Sequence, residues 1–176
     1  MIEYLTAHTA DVPTEVLTAA RDMLARVFEG EFEDDDWNHS LGGVHVVALV
    51  DGVVIGHASV IQRRLMTGGR PLRAGYVEGV GVDAAWRRRG VAGEMMGRLE
   101  RVIRAAYEIG GLGATDEAMA LYLGRGWQVW QGPLAALTPS GMVATPEEAG
   151  AVLVLPVGPL DLDAELACDW RDGDVW

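Results

Sequence analysis

The apolar positions change period several times along the chain, and each change predicts an element. After a short strand candidate at IEYLT (2–6), Val16, Leu17, Ala20, Leu24, Val27 and Phe28 recur at helical spacing and predict an amphipathic helix over 13–28. Asp11 or Thr14 is a candidate cap for it, and Gly30 a stop. EFEDDDWNHSLGG breaks the pattern and reads as a loop or a short second helix. HVVALV and VVIGHASVIQRRLM then flank Asp51-Gly52, the pair that two-residue hairpin turns prefer. Gly68-Gly69 marks a second reversal into PLRAGYVEGVGV, so a three-stranded antiparallel meander is expected. Val91, Met95, Leu99, Val102, Ile103 and Ala106 predict a further helix, with Glu94/Arg98 and Glu100/Arg104 paired on its polar face. YEIGGLGAT reads as a buried strand, DEAMALYLGR as a short helix, and WQVWQ and AVLVLP as strands joined by a Pro/Gly-rich connection. The order places the chain in the α/β (α+β) class.

Length adds a bound: 176 residues suffice for one well-buried core, and a single domain over 1–176 is the expectation. No run approaches the roughly 20 apolar residues of a membrane span, and MIEYLTAHTAD has no basic start followed by an apolar core. A cytoplasmic protein with no membrane partner is expected. The lone Cys168 cannot form an internal disulfide, and no Cys/His cluster suggests structural zinc, so no metal is expected. His39, His45 and His57 have no metal-ligand spacing with carboxylates and read as structural or surface residues. Trp127 and Trp130 flank a predicted strand and read as core or interface.

Charge changes the picture more. The formal net charge is -12, and every one of the 14 basic residues is arginine, which excludes Schiff-base lysine chemistry and a Walker-type phosphate lysine. The overall field disfavours nucleic acid and attracts polycations. Two acidic clusters carry aromatics: EGEFEDDDW, with Glu31, Asp36, Phe32 and Trp37, and the tail DLDAELACDWRDGDVW, with Asp174, Trp170 and Trp176. Each is either a solvated face or half of a cationic site.

The densest positive charge, WRRRGVA at 86–92, sits at the predicted start of a helix. Unpaired N–H groups there, with Arg87, Arg88 and Arg89 and a glycine allowing close approach, suit a phosphate; the alternative is a solvated basic turn. Directly upstream, Gly79 and Gly81 interrupt YVEGVGV, marking a bulge, a close backbone approach to a ligand, or tight packing under a helix. A splayed strand followed by a phosphate-grasping turn makes a slot for an extended ligand with a pyrophosphate, such as coenzyme A.

VEGVGV, RRRGVA and its helix, and LYLGRGW resemble the GCN5-related N-acetyltransferases (GNAT), whose pyrophosphate loop is Q/R-x-x-G-x-G/A. DWNHSLGGVH, HASVIQRRL, YVEGV, the Tyr122–Trp127 segment and CDWRDGDVW narrow the resemblance to the aminoglycoside 2'-N-acetyltransferases, across essentially the whole chain. The resemblance implies a mixed, mostly antiparallel sheet flanked by helices, with a splayed central strand. It also implies acetyl-CoA as co-substrate, a cationic aminoglycoside as acceptor, direct attack in a ternary complex, and a homodimer.

Residue by residue, the resemblance implies Glu78 as general base, although an outward-facing strand residue would read the same. It implies the Val80 N–H toward the thioester carbonyl, the Val82 N–H toward the pantetheine arm, and Arg87, Arg88, Arg89, Gly90, Val91 and Ala92 around the pyrophosphate. Tyr122 becomes the acid toward the coenzyme sulfur. Glu31, Asp36, Glu78, Gly79, Glu148, Asp174 and Trp176, with its terminal carboxylate, would line the drug site. The family pattern carries Asp where this chain has Glu31 and Glu148, and often Ser near Gly113 and Ala114. Acetylation of a cell-wall amino sugar or a polyamine, a non-catalytic acyl-CoA or drug-binding module, and a histidine base are the alternatives.

Overall fold

Asp51 and Gly52 both adopt left-handed backbone, with φ of 49° and 79°, the geometry a two-residue primed turn needs. This turn joins β2 (Val44–Val50) to β3 (Val53–Thr67), and the Gly68-Gly69 turn joins β3 to β4 (Arg70–Val82). In the computed structural model, which describes residues 1–176, the chain divides into two compact units. The first comprises Met1–Ile61 and Val77–Val102, and the second Gln62–Tyr76 and Ile103–Trp176.

In the first unit, β1 (Glu3–His8) pairs antiparallel with β2, which pairs antiparallel with the start of β3. The register slips between Ala48 and Leu49, so His45 faces Ser59 and Val47 faces His57. Helix α1 (Thr14–Val27) buries Ala20, Met23 and Leu24 against Val47 and Val54. Removing the Leu24 side chain is expected to cost about 2–5 kcal/mol. Pro13, not Asp11 or Thr14, occupies the cap position of α1, with no side-chain cap bond. The acidic segment forms the short helix α2 (Asp34–His39).

Helix α3 spans Val91–Ala106, as the spacing predicts. Its buried stripe is Val91, Met95, Met96, Leu99 and Ile103, and Val91 and Met95 lie against Gly56. Glu94 pairs with Arg98 at 2.9 Å. Glu100 is buried, not on the solvent face where the charge pattern places it, and Ala106 is exposed.

The second unit is sheet-rich, with strand order β6-β9-β5-β4-β3-β10-β7-β8. β5 (Ile109–Gly113), β6 (Gln128–Val129) and β9 (Val152–Pro156) fall where the apolar runs predict strands, and α4 (Asp116–Leu123) where the short helix is expected. The Pro/Gly-rich connection contains two further strands, β7 (Leu134–Thr138) and β8 (Gly141–Ala144). The acidic tail contributes β10 (Leu166–Asp169), antiparallel to β3 and parallel to β7. β4 pairs in parallel with β5 over Ala74–Tyr76 only; the pairing stops there, as a splayed strand requires. Trp127 and Trp130 are core residues, and Cys168 is a buried thiol that burial pushes above its usual pKa. No helix is long and apolar enough to cross a membrane.

Candidate active site

The two glycines of YVEGVGV have different causes. Gly79 adopts a left-handed φ of 57°, and a Cβ there would lie 2.7 Å from Ser40 Oγ and 3.2 Å from His57 Nδ1. Gly81 has ordinary backbone, but a Cβ would lie 2.6 Å from Leu24 Cδ2 of α1. Gly79 therefore bends the strand and Gly81 admits the helix, so the tight-packing reading holds for Gly81. The bend is held from behind by side chains: the Ser59 hydroxyl donates to the Glu78 carbonyl at 3.3 Å, and His57 Nδ1 donates to the Gly79 carbonyl at 2.7 Å. Glu78, Gly79, Val80 and Val82 are all partly exposed on this stretch.

Further along the same unit, Asp83 caps a 3-10 turn at Ala84–Trp86, accepting from the Ala85 N–H at 3.0 Å. Arg88 takes a left-handed φ of 58°, which side chains rarely adopt, and Gly90 follows at 81°. A Cβ at Gly90 would meet nothing within 4 Å, so this glycine answers to backbone conformation alone. The Gly90 carbonyl accepts the N–H of Glu94 at 3.0 Å and opens α3. The N–H groups of Val91, Ala92 and Gly93 precede the first intrahelical bond and suit an anion. Arg87 Nε reaches the Val82 carbonyl at 3.3 Å, and the Arg89 guanidinium stacks on Trp86 at 4.9 Å. All three arginines are exposed.

The acidic segment of this unit is divided. Glu31 is exposed, whereas the Asp36 carboxylate accepts the Glu33 N–H at 2.8 Å and closes a capping box on α2. The same helix places Trp37 5.6 Å from the His57 ring and Ser40 beside Gly79, so Asp36 belongs to the element that backs the bend.

In the second unit, Tyr122 is buried on α4, edge-on to Trp127 at 6.1 Å. Burial pushes its hydroxyl up to about 12, so it keeps its proton at pH 7 and is able to donate. Glu148, Asp174 and Trp176 come together in this unit. The half-buried Glu148 carboxyl is raised first by burial, then by the negative charges of Asp174 and Glu147. Trp176 Nε1 donates to Thr145 Oγ1 at 2.9 Å, and its main-chain N–H reaches Asp174 Oδ1 at 3.3 Å. A like-charged, partly desolvated cluster of this kind is relieved by a cation.

Several supporting residues escape the sequence reading. Arg63 is buried, donates to Asp169 Oδ1 at 2.7 Å and to the Val175 carbonyl at 2.7 Å, and stacks on Tyr76 at 4.6 Å. Arg171 donates to the Asp174 carbonyl at 2.6 Å and to a main-chain oxygen of Trp176 at 2.9 Å. These two arginines fix the tail that carries Asp174 and Trp176. His45, His57, Ser40 and Ser59 likewise stand behind the bend; the only signal was two histidines on strands predicted to pair. No group of three or more His, Cys, Asp or Glu side chains is placed to hold a metal ion.

The sequence and the fold have known counterparts. The model of the acetyltransferase (GNAT) domain matches residues 11–130. An aminoglycoside 2'-N-acetyltransferase of Mycolicibacterium fortuitum is 48% identical over 174 residues, covering 96% of this chain and 89% of that protein. Among solved structures, the Escherichia coli GNAT family N-acetyltransferase YhbS in complex with CoA superimposes with a TM-score of 0.68 at 18% identity, covering 98% of this chain and 92% of that one. Eis1 from Mycobacterium abscessus gives 0.63 at 19% identity over 77% of this chain, which spans 33% of the length of Eis1. Members of the GNAT family use acetyl-CoA. A bent, glycine-broken strand leading into an arginine-bearing helix start, in a chain so closely related over its full span, settles its membership: the protein is a GNAT acetyltransferase and belongs to the family of the aminoglycoside 2'-N-acetyltransferases.

Proposed function

We propose that residues 1–176 act as one acetyltransferase domain that moves the acetyl group of acetyl-CoA onto the 2'-amine of an aminoglycoside, conferring resistance. The observation that carries this reading is the left-handed Gly79 in β4 beside Glu78, a bend that would turn backbone N–H groups toward a ligand. The Glu78 carboxylate takes a proton from the bound ammonium, directly or through a water, so that the nitrogen lone pair can attack. The new C–N bond forms as the carbonyl π electrons move to oxygen, and the Val80 N–H donates to that developing charge. Collapse expels the coenzyme thiolate, toward which Tyr122 donates a hydrogen bond.

The character of that last contact follows from acidity. A hydroxyl held at about 12 is a weaker acid than a thiol at about 8.5, so outright proton transfer to the sulfur is uphill. Tyr122 stabilises the leaving sulfur as a donor. Two protons leave the nitrogen between ammonium and amide, the first before attack and the second as the C–S bond breaks, and both reach solvent by way of Glu78 while the coenzyme departs as its thiolate.

The pantetheine arm follows the Val82 N–H, and the pyrophosphate lies at the start of α3 against Gly90, Val91 and Ala92 with Arg87, Arg88 and Arg89. Arg89 is already stacked on Trp86 and Arg87 turned to Val82, which leaves Arg88 as the side chain most available to phosphate. Glu31, Asp36, Glu148, Asp174 and Trp176 receive the ammonium groups and rings of the drug. The charge balance supports a cationic acceptor and argues against nucleic acid. The protein works in the cytoplasm as a homodimer; exposed Leu137, Met142 and Val143 on the β7–β8 hairpin support assembly.

Incubation with acetyl-CoA and a panel of amines, reading thiol release and product mass, tests the reading. One acetyl group per 2'-amino aminoglycoside is expected. Transfer only to amino sugars of the cell wall or to polyamines would replace the acceptor, and binding without thiol release would replace the enzyme by a binding module.

A further inference from the structure

His45 and His57 have no exposed surface, yet both form strong polar contacts. Thr9 Oγ1 lies 2.7 Å from His45 Nε2, His45 Nδ1 lies 2.9 Å from His57 Nε2, and His57 Nδ1 lies 2.7 Å from the Gly79 carbonyl oxygen. The heavy atoms fix the hydrogens. A carbonyl only accepts, so His57 Nδ1 carries its N–H. A neutral imidazole has one N–H, so His57 Nε2 accepts and His45 Nδ1 donates; His45 Nε2 then accepts from the Thr9 hydroxyl. The Gly42 N–H feeds Thr9 Oγ1 at 2.8 Å. Burial lowers both histidines to about 4, with His8 adding to the effect at His45, so both are neutral at pH 7. Both ring N–H groups point toward the Gly79 carbonyl, and the Thr9 hydroxyl, which also lies 3.3 Å from the Gly43 carbonyl, makes its shorter contact with His45.

That carbonyl and the Val80 N–H are the two ends of one peptide group. A hydrogen bond accepted at the oxygen draws density from the nitrogen and makes its N–H a better donor, and aligned bonds strengthen one another by about 10–30% each. We propose that the Thr9–His45–His57 string is a positioning element that aims and polarises the Val80 amide as donor to the developing thioester oxyanion, an inference that rests on the role proposed for Val80. Apolar side chains would fill the same space without the cost of desolvating two imidazoles, so a packing role alone does not call for this pair. Trp37 tilts over both rings, at 6.5 Å from His45 and 5.6 Å from His57. Ser40 closes the other approach to Gly79. The string ends on a carbonyl and both rings are buried, so neither histidine serves as base for the amine.

Steady-state kinetics and amide NMR of the full chain test this. Removal of a whole oxyanion donor costs about 10²–10³ in kcat, so weakening one by His57→Leu should cost about tenfold, with KM for acetyl-CoA and for drug within about twofold. His57→Asn, whose amide can donate from the Nδ1 position, should recover most of the loss. His45→Leu leaves the last donor in place and should cost only about two- to threefold, by loss of cooperative polarisation. If His57→Leu does not fold, His45→Leu decides, since an unchanged kcat there overturns the proposal. Binding of an acetyl-CoA analogue with methylene in place of sulfur should move the Val80 amide proton downfield in the wild type and less in His57→Leu. A Val80 resonance that never moves in the wild type removes Val80 itself from the mechanism. Equal movement in both proteins, with kcat unchanged, overturns the string and leaves Val80 in place.

Discussion

The bend at Gly79 and the turn at Gly90 both depend on left-handed glycine, but their surroundings are opposite. Around Gly90 there is open space, exposed arginines and the first N–H groups of a helix. Around Gly79 there is none: Ser40 and His57 fill the place a side chain would take, and buried neutral groups hold the carbonyls of residues 78 and 79. Under the proposed function, the coenzyme phosphates would be met at Gly90 by an accessible surface of charge and backbone dipoles, which tolerates variation in side-chain placement. A reacting carbonyl needs a donor held within a few tenths of an ångström, and that calls for packing from behind.

The sharpest way to break this contrast is to add one methyl group at each glycine. Gly79→Ala must overcome both backbone strain and the 2.7 Å contact with Ser40, so kcat should fall by about 10²–10³, as for loss of an oxyanion donor. Gly90→Ala meets only backbone strain of about 1–2 kcal/mol, so KM for acetyl-CoA should rise severalfold with kcat nearly unchanged. Equal effects on kcat would show that the two turns do not differ in function.

Glu78→Gln should lower kcat by about 10²–10³ and flatten the acidic limb of the pH–rate profile, because the variant has no carboxylate to protonate. An unchanged profile would assign the base elsewhere. Stability offers a smaller, independent probe of the packed bend. With both histidines lowered from 6.5 to about 4, the unfolded chain takes up protons first as pH falls, so stability present above 6.5 is lost between 6.5 and about 4 and levels off below. Each histidine should account for about 2 kcal/mol of destabilisation by pH 5. Denaturant unfolding at pH 7 and 5 should show this loss reduced in His57→Leu. The smallest expected effect is at the open turn: Arg88→Ala should raise KM for acetyl-CoA about two- to fivefold, more at low than at high salt.

The same contrast explains what could be read from the chain. The open turn, like the two hairpin turns, was legible because its parts are contiguous: RRRGVA, Asp51-Gly52 and Gly68-Gly69 each declare a backbone conformation or a charge within a few residues. α3 was legible from its period, although Glu100 breaks the rule that acids face water. The support behind the bend was not legible, because it draws Thr9, Ser40, His45, His57 and Ser59 from four separate segments. Its register also depends on a slip between Ala48 and Leu49 that no residue announces. Gly79 and Gly81 look equivalent in sequence, and only the approach of Leu24 separates them. β7, β8 and β10 are four or five residues long and lie among Pro, Gly and acids; their pairing, not their composition, makes them strands. The tail's acids were visible, whereas nothing in the sequence marks Arg63 and Arg171 as the residues that hold it.

The most direct measurement of the central claim is acetyl transfer to two aminoglycosides identical except at the 2' carbon, one bearing an amine and the other a hydroxyl. Thiol release and a single acetyl group on the 2' nitrogen are predicted for the first, with no transfer to the second. Equal transfer to both would contradict the account.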